Sequence, residues 1–164
     1  MLKNFEKTII FLAKALKDYQ YAIRGTASLV LQGFEMNVDD IDILCDKKTA
    51  LACNEIFKDY LLEKVEFKIS DKFKSYFGKF KINGVDVEVM GEWQIKIQNP
   101  KSKIQNWSEV FSATERKKVR LDGQEIWVTT PESELKMFAA MGRWNAYHKI
   151  KKQLLDKAQS KLLQ

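Results

Sequence analysis

The apolar positions change period along the chain, and the changes mark out the elements. Leu2, Phe5, Ile9, Leu12 and Leu16 recur at three- and four-residue spacing, which predicts an amphipathic first helix. "YAIRG" reads as a short strand ending at Gly25. "TASLVLQG" reads as a short helix capped by Thr26 or Ser28 and closed by Gly33. "DIDILC" is a strand, and "DKKTALACNEIFKDYLLEK" a helix with Asp46 as N-cap. "VEFKIS" and "KFKSYFGKFKI" alternate as strands do. Asn83-Gly84 is a hairpin signal with "VDVEVMG" as the return strand, and Asp122-Gly123 marks a second hairpin between "KKVRL" and "QEIWV". "TPESELKMFAAMGRW" starts a helix at Pro131, with Glu132 and Glu134 at its positive end. In the last helix Ile150, Leu154, Ala158 and Leu162 share one side. The stretch 98–108 is the most loop-like.

This order predicts an α/β (α+β) fold: a mixed sheet flanked by helices, followed by C-terminal helices. Length adds a bound. At 164 residues the chain is one compact unit, read as a core over 1–128 and a helical extension over 129–164. No apolar run approaches the ~20 residues of a membrane helix, and charges interrupt the N-terminal stretch throughout. No membrane partner is expected. Cys45 and Cys53 lack metal-ligand spacing and read as reduced thiols of a cytoplasmic protein. Net charge is +6, unevenly placed: 96–120 holds seven basic and two acidic residues, and 146–164 five lysines and one aspartate. A basic second half favours polyanions such as a nucleoside triphosphate or RNA; for lysines alone a solvated face explains as much.

The chemistry is concentrated in "IRGTASLVLQGFEMNVDDIDIL". Residues two apart on a strand point the same way, so Asp40 and Asp42 share a face. Asp86 and Glu88 repeat the pattern on a later strand. Paired carboxylates on strands repel, and a cation offsets this; oxygen-only ligands favour Mg²⁺ or Mn²⁺. Gly25 permits close backbone approach, and Thr26 and Ser28 add hydroxyls at a helix start, a place for phosphate.

These segments resemble the nucleotidyltransferase superfamily of DNA polymerase beta. The family pattern of Gly-Ser or Gly-Gly, a short helix, Asp-x-Asp and a third Asp matches Gly25-Thr26, Asp40-Ile41-Asp42 and Asp86. The small antibiotic adenylyltransferases and toxin-type nucleotidyltransferases look most similar. The resemblance implies that Asp40, Asp42 and Asp86 bind metal and that Gly25, Thr26 and Ser28 hold the triphosphate of an NTP, with ATP favoured. It makes Lys136 and Arg143 nucleotide contacts, and leaves Glu88 as general base or exposed strand residue. It implies transfer of a nucleoside monophosphate to an acceptor hydroxyl on a small molecule or RNA, with release of pyrophosphate. A homodimer or partner subunit is compatible with it, since a second subunit completes the cleft in several relatives. Two readings compete: a degenerate nucleotide- or RNA-binding module, and an RNA-modifying toxin of a toxin–antitoxin pair. Thr26, and Asn145 and Lys149 where relatives carry an acid, are departures from the pattern.

Overall fold

The computed structural model describes residues 2–97 and 106–163. The elements are α1 (Leu2–Ala15), β1 (Tyr21–Arg24), α2 (Gly25–Leu31), β2 (Ile41–Cys45), α3 (Lys47–Ile56), β3 (Leu61–Ile69), β4 (Phe73–Ile82), β5 (Val85–Ile95), β6 (Arg116–Leu121), β7 (Gln124–Thr129), α4 (Pro131–Ala140) and α5 (Trp144–Leu162). The strands form one seven-stranded sheet in the order β3-β4-β5-β2-β1-β7-β6. It is mixed: β2 runs parallel to β5 and β1 parallel to β7, while β1 and β2 are antiparallel. The expected fold class is the one observed.

Alternation decides which face each side chain joins. Ile23, Ile41, Ile43, Val87 and Val89 pack with Phe5, Ile9 and Leu12 of α1 and with Ala50 and Cys53 of α3. The intervening residues, Ala22, Leu44 and Met90, point to the opposite face and pack with Trp93 and Phe111 and with Met137 of α4. Arg24, Asp42 and Glu88 continue those second rows, one step further along each strand. The charged site therefore lies on the face turned away from α1 and α3. Leu29, Phe34, Phe138 and Ile150 form a third cluster joining α2 to α4 and α5.

Both hairpin turns follow their sequence signals. Asn83 and Gly84 have φ of 53° and 76°, and Asp122 and Gly123 of 48° and 79°, the left-handed values a two-residue turn requires. Asp46 caps α3, accepting from the Thr49 N–H at 2.8 Å. Thr130 caps α4 in the same way.

Some boundaries differ from expectation. Helix α3 stops at Ile56, and "LLEK", read as its end, opens β3, because Leu61 pairs with Phe80 of β4. Helix α2 begins at Gly25 with Arg24 at the N-cap, not at a hydroxyl residue. Strand β5 runs to Ile95, beyond "VDVEVMG", and carries a bulge. Tyr76 pairs with Gly91 but Lys74 with Gln94, so Glu92 and Trp93 face Ser75 alone, and Glu92 adopts a φ of 48°. The extra residue re-aims the strand and returns Trp93 to the face that carries Met90. Most of the loop expected at 98–108 lies outside the described residues; Trp107 forms an isolated bridge with Lys96. Cys45 and Cys53 are buried and free.

Candidate active site

The site is assembled by strand register. In the antiparallel β1–β2 ladder Arg24 stands opposite Asp42, and in the parallel β2–β5 ladder Asp42 stands opposite Glu88. Asp40 precedes β2 on the same side as Asp42. Asp40, Asp42 and Glu88 each bring a carboxylate oxygen within 4.8 Å of the others. The third carboxylate is thus Glu88, where the resemblance placed Asp86. The register explains the difference. Asp86 sits one alternation closer to the β4–β5 turn, is 63% exposed at its side chain and faces Lys81 at 3.8 Å. It reaches the cluster only through its charge, which helps to raise Asp40.

The cluster is short of positive charge. Burial pushes Asp42 up to about 7, against the pull of Arg24 and with Asp40, Glu88 and Glu134 adding to the rise. Asp40 and Glu88 are also raised, each by burial first and then by neighbouring carboxylates. Asp42 Oδ1 is buried with no hydrogen-bond partner among the described residues. Three oxygen donors, one of them orphaned in a buried position, fit a hard divalent cation of the Mg²⁺ or Mn²⁺ type.

Arg24 and Glu134 belong to the site although the sequence reading assigned them no role in it. Arg24 is buried, with Nη2 on Glu134 Oε1 at 3.0 Å and Nη1 on Asp42 Oδ2 at 3.6 Å. Its guanidinium lies over the Trp93 ring at 4.7 Å. Burial pulls its pKa down, but Glu134, Asp42 and Asp40 outweigh that pull and raise it. Glu134, fully buried, takes three donors: Arg24 and the Gly25 N–H on Oε1, and the Thr129 hydroxyl on Oε2 at 2.9 Å. One signal was available for Arg24, a charged residue ending a four-residue strand that is otherwise apolar. Glu134 gave none beyond its place in the first turn of α4.

The expected phosphate cradle is partly occupied from within. Gly25 has a φ of 71°, and a Cβ there would meet Asp42 Oδ2 at 3.1 Å, so glycine is required both by backbone and by contact. Its N–H, however, is held by Glu134. The Ser28 hydroxyl donates to the Thr129 carbonyl at 3.0 Å inside the fold. The Thr26 hydroxyl makes no hydrogen bond among the described residues. Lys136 is exposed and pairs with Glu115 at 2.9 Å, and Arg143 lies over Phe138 at 5.2 Å. The structure brings neither of them to the carboxylates. His148 stacks with Trp144 and Tyr147 on α5.

A mixed sheet of this order, with carboxylates from adjacent strands beside a short helix, defines a nucleotidyltransferase, and solved structures of that class superpose on it. TM1012 of Thermotoga maritima, a candidate nucleotidyltransferase, is 26% identical, with 93% of each chain covered and a TM-score of 0.75. The lincosamide antibiotic adenylyltransferase LnuA, solved with lincomycin, is 17% identical, with 92% of this chain and 96% of LnuA covered and a TM-score of 0.54. ANT(2'')-Ia, solved with adenylyl-2''-tobramycin, is 12% identical, with 98% and 94% covered and a TM-score of 0.53. The last two show the fold alone. Among curated proteins none matches. The sequence model of the aminoglycoside-2''-adenylyltransferase family matches residues 9–159, and the chain belongs to that family. No helix among the described residues is long and apolar enough to cross a membrane.

Proposed function

We propose that this chain is a cytoplasmic enzyme that transfers a nucleoside monophosphate from an NTP, ATP by preference, to an acceptor hydroxyl and releases pyrophosphate. The observation that carries the reading is the Asp40–Asp42–Glu88 cluster with its orphaned Asp42 oxygen. These three residues would hold Mg²⁺ or Mn²⁺, which when bound supplies charge to the phosphate oxygens and acidifies the acceptor hydroxyl. Asp86 does not enter this set in our reading, and Glu88, which also lines the neighbouring cavity, would take the acceptor's proton.

The remaining residues position. Glu134 holds Arg24 by a 3.0 Å hydrogen bond, and the guanidinium so held would face Asp42, 3.6 Å away, before substrate arrives. Thr26 offers its hydroxyl to the triphosphate at the start of α2. Gly25 keeps the backbone close to Asp42. The test is ATP titration calorimetry with and without Mg²⁺, in wild type and Asp42→Asn, followed by transfer from α-labelled ATP. Mg²⁺-dependent binding that the variant loses is the expected result. Binding that ignores the metal, or none, would overturn the reading.

A further inference from the structure

The sheet has two edge strands, β6 and β3, and they are finished differently. β6 carries Arg116, Lys117, Lys118 and Arg120. Basic residues on an edge discourage a second strand from adding, and two-fold pairing about the middle of β6 sets them against one another. β3 is the reverse. Leu61, Leu62, Phe67 and Ile69 are exposed along it, Phe67 by 51% and Ile69 by 63%, with Leu51 and Tyr60 exposed on the segment that leads into it. Single exposed apolar residues are ordinary; a row of them along an open strand marks a contact surface. From this edge we infer that the chain forms a two-fold homodimer, in which β3 of one copy pairs antiparallel with β3 of the other about Phe67.

The backbone shows where the edge is open. The Ser70 N–H donates to the Phe73 carbonyl at 2.8 Å, and the β3–β4 ladder runs without a shift from Ile69–Lys74 to Glu66–Phe77. Antiparallel alternation then turns the backbone groups of Glu66 and Lys68 toward β4 and those of Phe67 and Ile69 outward. On the other side of Glu66 the edge is closed. The ladder shifts between Glu63 and Glu66. There the Asn54 side chain takes both backbone groups of Val65, accepting from its N–H at 2.8 Å and donating to its carbonyl at 2.9 Å. Bulges and covering side chains blunt an edge; here they stop short of Phe67.

The open stretch is complementary to itself. With Phe67 on the two-fold axis, each Phe67 exchanges its N–H and C=O with its counterpart. Glu66 of each copy stands opposite Lys68 of the other. Lys68 is already bound by Glu63 at 2.8 Å, whereas Glu66 has no ion-pair partner among the described residues. Exposed pairs of this kind contribute little affinity. They choose the register, because moving the axis to Lys68 would oppose two lysines. Affinity comes from the other face of the joint. There Phe67, stacked on Tyr76 at 5.2 Å, and Ile69 become covered, with Leu51 of α3, one turn before Asn54, beside them. Lys68 and Ile69 also line the cavity of about 560 Å³ that contains Asp42 and Glu88, so the joint borders that cavity.

The experiment is sedimentation equilibrium of the full chain from about 1 to 500 μM, with circular dichroism to check the fold of each variant. Wild type should dimerise with a dissociation constant of about 1–100 μM. Phe67→Pro removes one outward N–H and leaves the β4 ladder its bonds, so it should weaken the dimer at least about tenfold. Glu66→Lys and Lys68→Glu should each weaken self-association at least about fivefold. Mixed in equal amounts, these two variants oppose Lys to Glu at both positions, and they should regain wild-type association within about threefold. A wild type that stays monomeric would give the edge to a foreign strand or to none, and would overturn the inference. So would a dimer that folded Phe67→Pro leaves intact, which would place the contact on another surface. A mixture that associates no better than its two components would overturn the register, and the antiparallel β3 joint with it.

Discussion

The two sides of Asp42 are built on different rules. Toward α4 the polar groups close on one another: Glu134 satisfies Arg24, Gly25 and Thr129, and Thr129 in turn meets Ser28 at 3.0 Å. Toward Asp40 and Glu88, like charges crowd together and a buried oxygen has no partner among the described residues. The first side is a finished structural joint. The second is arranged at the expense of stability, which is how functional sites differ from the scaffold that holds them. A reading based on charge alone would treat Glu134 and Asp42 as equivalent buried acids; their partners show that they are opposites.

The comparison breaks most visibly if the joint is opened. Glu134→Ala leaves a buried guanidinium without its main partner and should cost about 3–5 kcal/mol in urea unfolding. Asp42→Asn should behave in the reverse sense in chelator. The folded-state pKa of Asp42 is about 7, above the ~3.9 of an unfolded aspartate. The folded chain therefore binds the extra proton between those values. The contribution of this group is most favourable below pH ~4 and is lost as pH rises toward 7. Metal-free wild type should lose on the order of 1–3 kcal/mol across that window relative to Asp42→Asn, and Mg²⁺ at pH 8 should restore it. A variant that is less stable than wild type at pH 8 in chelator would show that the Arg24 pair dominates after all.

Exchange of the third carboxylate sharpens the picture further. Glu88→Gln should lower turnover at least about 100-fold, and Asp86→Asn no more than about threefold; the reverse ranking would return the ligand to Asp86. The smallest effect is expected at the periphery. Lys136→Ala should leave Mg²⁺-dependent ATP binding and Tm unchanged, because an exposed pair with Glu115 contributes little.

Much of this was legible in the sequence. Alternation gave the faces of β2 and β5, Asn83-Gly84 and Asp122-Gly123 gave the hairpins, and Asp40-Ile41-Asp42 gave the place where carboxylates gather. What escaped depends on relations between segments. That Glu88 and not Asp86 stands opposite Asp42 follows from a parallel register that no local pattern encodes. The bulge at Glu92–Trp93 is a count of two residues against one across a ladder, visible only once both strands are paired. "LLEK" has helical composition, yet its pairing with β4 overrode that preference. Glu134 reads locally as an acid suited to a helix start, and its real partners lie on β1 and at the start of α2.

Those partners have a consequence for the order of events in folding. Gly25 and Glu134 are 109 positions apart. During synthesis β1, α2 and β2 emerge long before α4 exists, so Arg24 and Asp42 meet without the acid that fixes the arginine. Contacts of such separation form late. A ribosome-bound chain that has not yet exposed α4 can have its sheet, its hairpins and its aspartates, and still have no set site. The setting of Arg24 and Gly25 therefore waits on α4, at the step that docks one buried glutamate.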